Sequence, residues 1–212
     1  MRTGPERGIY LASRSPRRRE LLAQIGVRFH LLLFRSLPQS DPELDEAVAP
    51  GEAPREYVMR VSRAKAAAGW QRMLERNLPR APVLAADTTV ALDGRILGKP
   101  ADRVEAAGML GALSGRRHDV LTAVAVIFEE TTELALSASE VEFRTLSAGE
   151  IRDYVASGES DDKAGAYAIQ GGAARFVRDM RGSYSGVVGL PLYETAQVLE
   201  KFGARHERRN TH

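Results

Sequence analysis

Apolar residues along this chain fall into short continuous runs, period-two alternations and helical stripes, and each pattern predicts a different element. Val83 to Ala86 is an unbroken apolar run that stops at Asp87-Thr88-Thr89, the pattern of a strand buried on both faces. That reading puts a carboxylate at a strand's carboxyl end, where open α/β sheets bind their ligands. Asp93-Gly94 predicts a two-residue hairpin turn, because both central positions of a type I′ turn need positive φ. The return strand is Arg95 to Gly98, and counting from the turn pairs Leu92 with Arg95, Val90 with Leu97 and Thr88 with Lys99. A strict ladder would point Asp87 and Lys99 to opposite faces. The two share a site only where pairing loosens near Gly98 and Pro100.

The rest of the chain alternates strands and helices. Gly8 to Ala12 predicts a first strand, and Ser15-Pro16 opens a helix to Ile25 that Gly26 stops, with Leu21, Leu22 and Ile25 buried. Arg28 to Phe34 reads as a second strand, and Arg35 to Ala53 as an irregular loop with an acidic stretch around Asp41 to Glu46. A long helix from Pro54 to about Arg76 carries Val58, Val61 and Ala68 on one stripe. Asp102 to Glu105 and Ser147 to Glu150 are capping-box patterns opening helices that end by Gly115 and Gly158. Arg117 to Glu129 is a long apolar strand, and Leu134 to Phe143 alternates as its half-exposed partner. A further strand over Ala174 to Met180, a helix over Pro191 to Phe202 and a frayed basic tail at 205–212 complete the chain. Strands alternating with helices, with some hairpins, predict a mixed α/β sheet.

Composition narrows the function classes. A chain of 212 residues that is 43% hydrophobic supports one large domain or two lobes sharing a core. Thirty Lys and Arg against 28 acids leave a formal charge of +2, so any anion binding rests on local clusters. There is no cysteine, which excludes disulfides, thiolate metal sites and a cysteine nucleophile. The apolar run Ile9 to Ala12 is too short for a secretory segment and Val120 to Phe128 too short for a bilayer, so the expectation is a soluble cytoplasmic protein.

Local chemistry then stands out at a few places. Arg17-Arg18-Arg19 fall in a helix's first turn, where each cation opposes the dipole at about 0.3–1 kcal/mol, unless an anion such as phosphate sits there; a solvated basic face is the plainer reading. Lys65 lies on the apolar stripe of the long helix, so it either snorkels to solvent or reaches an anion in a cleft. The stretch DDKAGAYAIQGG, Asp161 to Gly172, predicts backbone in close approach to a ligand or a tight loop against the core, with Gln170 its lone amide. His118 reads as a packing or hydrogen-bonding residue, since no metal-spaced partner accompanies it apart from Asp119.

Taken together, LASRSPRRRELL, ADTTVALDGRILGKP, LSGRRHDVLTAVAV, DKAGAYAIQGGAARFV and GSYSGVVGLPL resemble, in order and across nearly the whole chain, the Maf family of nucleotide pyrophosphatases. The resemblance implies one Maf-like domain over 1–212, an α/β fold with a mixed twisted sheet, flanking helices and two lobes around a deep cleft, similar to the inosine triphosphate pyrophosphatases. It also implies a homodimer, a divalent metal, and hydrolysis of a nucleoside triphosphate to monophosphate and pyrophosphate, a role in nucleotide-pool sanitation with a link to cell-division arrest. Carried over by motif, Asp87 is the catalytic acid, and Ser13, Arg17, Arg18, Lys65 and Lys99 bind phosphate. The family's further acidic residue falls on Glu46 counting back from Lys65; this chain carries a loop insertion there, and Asp45 or Glu43 are the substitutes. AGAYAIQG with GSYSGVVGLPL is similar to the branch acting on dTTP and UTP, in which positions matching Arg17, Thr88 and Gln170 set substrate choice. The resemblance leaves the physiological substrate open between dTTP itself and a modified pyrimidine nucleotide.

These residues make chemical sense together. Cations on the β- and γ-phosphates stabilise a pyrophosphate leaving group. Asp87 either takes the attacking water's proton or holds the metal that acidifies it, with Glu46 as a second metal ligand; oxygen ligands suit Mg²⁺ or Mn²⁺. The Gln170 amide matches uracil or thymine by donating to O4 and accepting from N3–H. The alternative is a noncatalytic nucleic-acid-binding or septum-formation regulator using Arg17 to Arg19 and the basic tail. Against it stand one Trp and 6% aromatics, little for bases to stack on, so neither stable nucleic-acid nor membrane binding is expected.

Overall fold

The computed structural model describes residues 8–33 and 46–203. One mixed sheet of seven strands organises them: β1 (Ile9–Leu11), β2 (Phe29–Leu31), β3 (Val83–Leu92), β4 (Arg95–Leu97), β5 (Arg117–Phe128), β6 (Thr131–Phe143) and β7 (Val177–Arg181). The order is β2-β1-β3-β5-β6-β7, with β4 also paired to β3. β1 runs parallel to β2 and β3, and the other pairings are antiparallel. Helices cover both faces, as an α/β sheet with apolar residues on both sides requires.

One face is packed by a single long helix, α2 (Pro54–Glu75). Its Ala66, Trp70 and Met73 meet Val83, Ala85, Ala125 and Ile127, while Val58 packs on Leu121 and Ala123. Gly69 lets the helix settle on the sheet, since a Cβ there would lie 2.8 Å from Val83 Cγ1. The opposite face carries α1 (Pro16–Gln24), α3 (Arg103–Leu113), α4 (Ala148–Ala156), the short α5 (Tyr184–Val188) and α6 (Leu192–Lys201). Alternation along β3 therefore sends Val83, Ala85 and Asp87 toward α2 and Leu84, Ala86 and Val90 toward the larger core.

Local chemistry sets the element ends as expected. Ser15 caps α1 with Pro16 following, and Ser147 and Glu150 form a reciprocal capping box on α4. At α3 the box is incomplete: Asp102 accepts from the Glu105 N–H, but the Glu105 carboxylate takes the Ala101 N–H. The segment expected as a strand from Ala174 is a 3-10 turn (Gly172–Phe176), and β7 begins only at Val177. The basic tail at 205–212 lies outside the described residues. No described helix is long and apolar enough to cross a membrane.

His118 is a core histidine. It is 3% exposed, its Nε2 lies 2.9 Å from the Tyr167 hydroxyl, and its ring meets Phe143 and Tyr167 edge-on. Burial pulls the imidazole from 6.5 down to about 4. Between those values the unfolded chain binds a proton that the folded chain refuses, so the neutral histidine's contribution is full above pH 6.5 and disappears as pH falls through that window. The expected loss is about 3 kcal/mol of unfolding free energy. Urea titrations at pH 7 and pH 4 should record it, and His118→Gln, which retains an acceptor for Tyr167, should flatten the slope. An unchanged slope in the variant would assign the acid sensitivity to other groups.

Candidate active site

A break along one edge of β3 creates the site. β5 pairs with β3 from Val83 to Ala91, but the other edge is shared: β1 pairs only with Val83 and Leu84, and β4 only from Val90 to Leu92. Between them Asp87, Thr88 and Thr89 border a cleft of about 550 Å³, a volume suited to a nucleotide-sized ligand. Asp87 is thus not at a strand's end, as the polar stop after Ala86 predicted; β3 continues through it to Leu92. The polar residues interrupt the apolar run because that edge is open, not because the strand finishes. The strand tip facing the crevice belongs to β1, whose chain turns at Ser13 into α1.

Lys99 enters the same cleft by the loosening expected at Gly98. The ladder stops at Val90 and Leu97, and the Gly98 carbonyl instead accepts the Gly165 N–H at 3.0 Å. Thr88 pairs with Thr122 of β5, and its expected partnership with Lys99 does not form. Ser13, Arg17, Arg18, Glu46, Lys65, Asp87, Thr88, Lys99 and Gln170 all line this one cavity. Glu43 and Asp45 lie outside the described residues.

Lys65 does not snorkel. Its ammonium lies 2.7 Å from Asp87 Oδ1 and 2.8 Å from Glu46 Oε1, joining two carboxylates far apart in sequence. Burial pushes the Glu46 carboxyl up, but Lys65, with help from Lys99 and Arg18, outweighs it and holds the group below the usual carboxylate value. The Tyr57 hydroxyl donates to the Glu46 carbonyl at 3.1 Å. Burial, then Asp87 and Glu46, push that phenol up to about 12, so it remains neutral. No cluster of three or more His, Cys, Asp or Glu side chains suited to a metal occurs among the described residues. Two carboxylates converging on one cation do fit a hard divalent ion that completes its shell with phosphate oxygens and water.

Across the sheet, Arg18 is held by three neutral acceptors. Nε donates to the Gly189 carbonyl at 2.8 Å, and the guanidinium also reaches the hydroxyls of Thr88 at 3.3 Å and Ser13 at 3.5 Å. The Thr122 hydroxyl in turn lies 3.0 Å from that of Thr88 and 2.7 Å from the Gly186 carbonyl. Burial lowers the proton affinity of Arg18 and Arg17 alike, yet arginine stays charged at any physiological pH. Arg17 also faces the cleft, whereas Arg19 is not among its lining residues.

Gln170 stands exposed on the tip of a turn closed by the Gly171 N–H to the Ala168 carbonyl at 3.0 Å. α4 and the segment after it pin both sides: the Tyr154 hydroxyl accepts the Ala168 N–H at 3.2 Å and Glu159 accepts the Gly172 N–H at 2.7 Å. A side chain at Gly171 would displace the Glu159 carboxylate from that bond. Gly189, Tyr57 and Lys163 line the cleft and Thr122 buttresses Thr88 from behind it, four residues that the linear reading passed over. Thr122 carried a signal, a hydroxyl inside the apolar run LTAVAV, which a buried strand tolerates only with a partner. Gly189 carried none, since its part is a backbone carbonyl.

Opposed cations around paired carboxylates, set in the broken edge of a mixed sheet, define an α/β protein whose cleft suits a polyanion. Residues 8–202 match the family described as Maf-like protein, and this chain belongs to that family. It is 57% identical over 195 residues to a dTTP/UTP pyrophosphatase of Nitrosomonas europaea, covering 92% of this chain and 94% of the relative. Proteins of the same name from Aromatoleum aromaticum and Dechloromonas aromatica are 57% and 54% identical over 196 and 197 residues, covering 92% and 93% of this chain and 95% and 98% of theirs.

Proposed function

We propose that this protein is a nucleoside triphosphate pyrophosphatase that hydrolyses dTTP and UTP to the monophosphate and pyrophosphate. The observation that carries the reading is the meeting, in one cleft, of the Asp87–Lys65–Glu46 carboxylate pair with Arg17, Arg18 and Lys99. The relatives named dTTP/UTP pyrophosphatase support it over nearly their full lengths. The inward turn of Arg17 and Arg18 counts against the rival regulator, which needs those cations outward.

In this reading water attacks the α-phosphorus and gives its proton to Asp87, whose Oδ1 Lys65 holds in place. The bond from the α-phosphorus to the bridging oxygen breaks, and pyrophosphate leaves with that electron pair. Arg17 and Lys99 neutralise the charge developing there, while Arg18 and Ser13 shape the phosphate-binding turn. Glu46 and Asp87 would hold a Mg²⁺ or Mn²⁺ ion, which supplies charge neutralisation and a more acidic water. Gln170 reads the pyrimidine edge and Thr88, through Arg18, fixes the adjoining wall. The reading extends to one cytoplasmic homodimer-forming domain engaged in clearing nucleotides, with no stable nucleic-acid partner.

Purified protein with magnesium and a panel of triphosphates tests the activity. Pyrophosphate released from dTTP and UTP ahead of the purine nucleotides is expected. Release of orthophosphate instead, or equal rates on every base, would reject the assignment.

A further inference from the structure

The cations of the cleft are not equivalent. Lys65 is neutralised by Glu46 and Asp87, and Arg18 has its orientation fixed by one bond each to Gly189, Thr88 and Ser13. Arg17 and Lys99 face the same cavity and form no ion pair among the described residues. Lys163 joins them there. Its ammonium donates to the Asp161 carbonyl at 3.0 Å; the carboxylates of Asp161 and Asp162 favour its charge but form no ion pair with it among the described residues.

The fold holds Lys163 in that company. Gly165, two positions on, donates its N–H to the Gly98 carbonyl beside Lys99, so the two lysine-bearing segments are latched together. Gly165 has φ of 65° and leaves room for no side chain, since a Cβ would lie 2.9 Å from the γ-carbons of Val90 on β3. Burial lowers the proton affinity of Lys163, the positive charges of Arg17 and Lys99 lower it further, and the carboxylates of Asp162 and Asp161 offset this only in part. Cations delivered from separate elements into one cavity repel each other unless an anion lies between them, and a triphosphate tail is such an anion.

We propose that Lys163 is a further substrate-binding residue, gripping together with Arg17 and Lys99 the β- and γ-phosphates that depart as pyrophosphate. The inference rests on the triphosphate-cleaving reading above and adds a residue of the Gln170 loop to its phosphate grip. One loop then serves both ends of the nucleotide, with Gln170 on the base and Lys163 on the tail.

Calorimetric titration of inorganic pyrophosphate and of dTMP, each with magnesium, onto wild type, Lys163→Met and Lys163→Arg tests it. Lys163→Met is expected to weaken pyrophosphate about tenfold, as for loss of one charge-assisted contact, and dTMP less than about twofold. Lys163→Arg should recover most of the loss. Unchanged pyrophosphate affinity in Lys163→Met, an equal loss for dTMP, no recovery in Lys163→Arg, or a wild type that binds no pyrophosphate would each overturn the proposal. The two readings fail separately. Lysine-dependent pyrophosphate binding without release from dTTP rejects the enzyme and keeps the grip, whereas dTTP turnover with lysine-independent pyrophosphate binding does the reverse.

Discussion

Asp87→Asn should lower pyrophosphate release from dTTP by about 10³-fold, the range for losing a positioned general base, with nucleotide affinity changed far less. The substitution is nearly isosteric, so β3 should keep its pairing with Ala123 of β5 and the fold its stability. An amide still faces Lys65, but it brings no negative charge to balance that ammonium and no site to receive a proton. Single-turnover rates together with nucleotide binding separate the effects. Equal rates in wild type and variant would remove Asp87 from the chemistry, and joint loss of binding and turnover would make it a ligand-holding residue instead.

Gln170→Glu carries the second large expectation, a fall of about 10²-fold in kcat/KM for dTTP and UTP with little change in melting temperature. A carboxylate cannot donate to O4 of the pyrimidine, and a polar site that loses its complementary partner discriminates more strongly than an apolar one. The side chain is exposed at the turn tip and makes no contact on which the turn depends, since Tyr154 and Glu159 hold the backbone to either side. The base preference is the informative readout. If the ranking of dTTP, UTP and CTP is the same in the variant, the base is recognised by other residues.

Much of the frame was legible because its causes are local. Ser15-Pro16 and Ser147 to Glu150 start helices through their own caps, and Asp93-Gly94 sets the register that pairs Val90 with Leu97. Asp87 was found for a partly mistaken reason: the apolar run ends there because an edge of β3 lies open, while the strand itself goes on. The helix α5 was missed, since a short segment rich in Ser and Gly has no periodicity to read. Its C-terminal Gly189 nonetheless supplies the carbonyl that orients Arg18.

Sequence by itself determined which residues are chemically out of place: a lysine on an apolar stripe, arginines at a helix start, an aspartate after a buried run, a lone amide among glycines. Each is a local conflict between residue type and position, and such conflicts can be read without coordinates. Only the tertiary structure decided their partners. Lys65 meets Glu46 and Asp87 through α2 packing on the sheet, and Lys163 comes to share a cavity with Lys99 through a glycine latch between distant loops. Those pairings depend on which elements the core brings together, and electrostatic contact between side chains follows spatial distance, not separation along the chain.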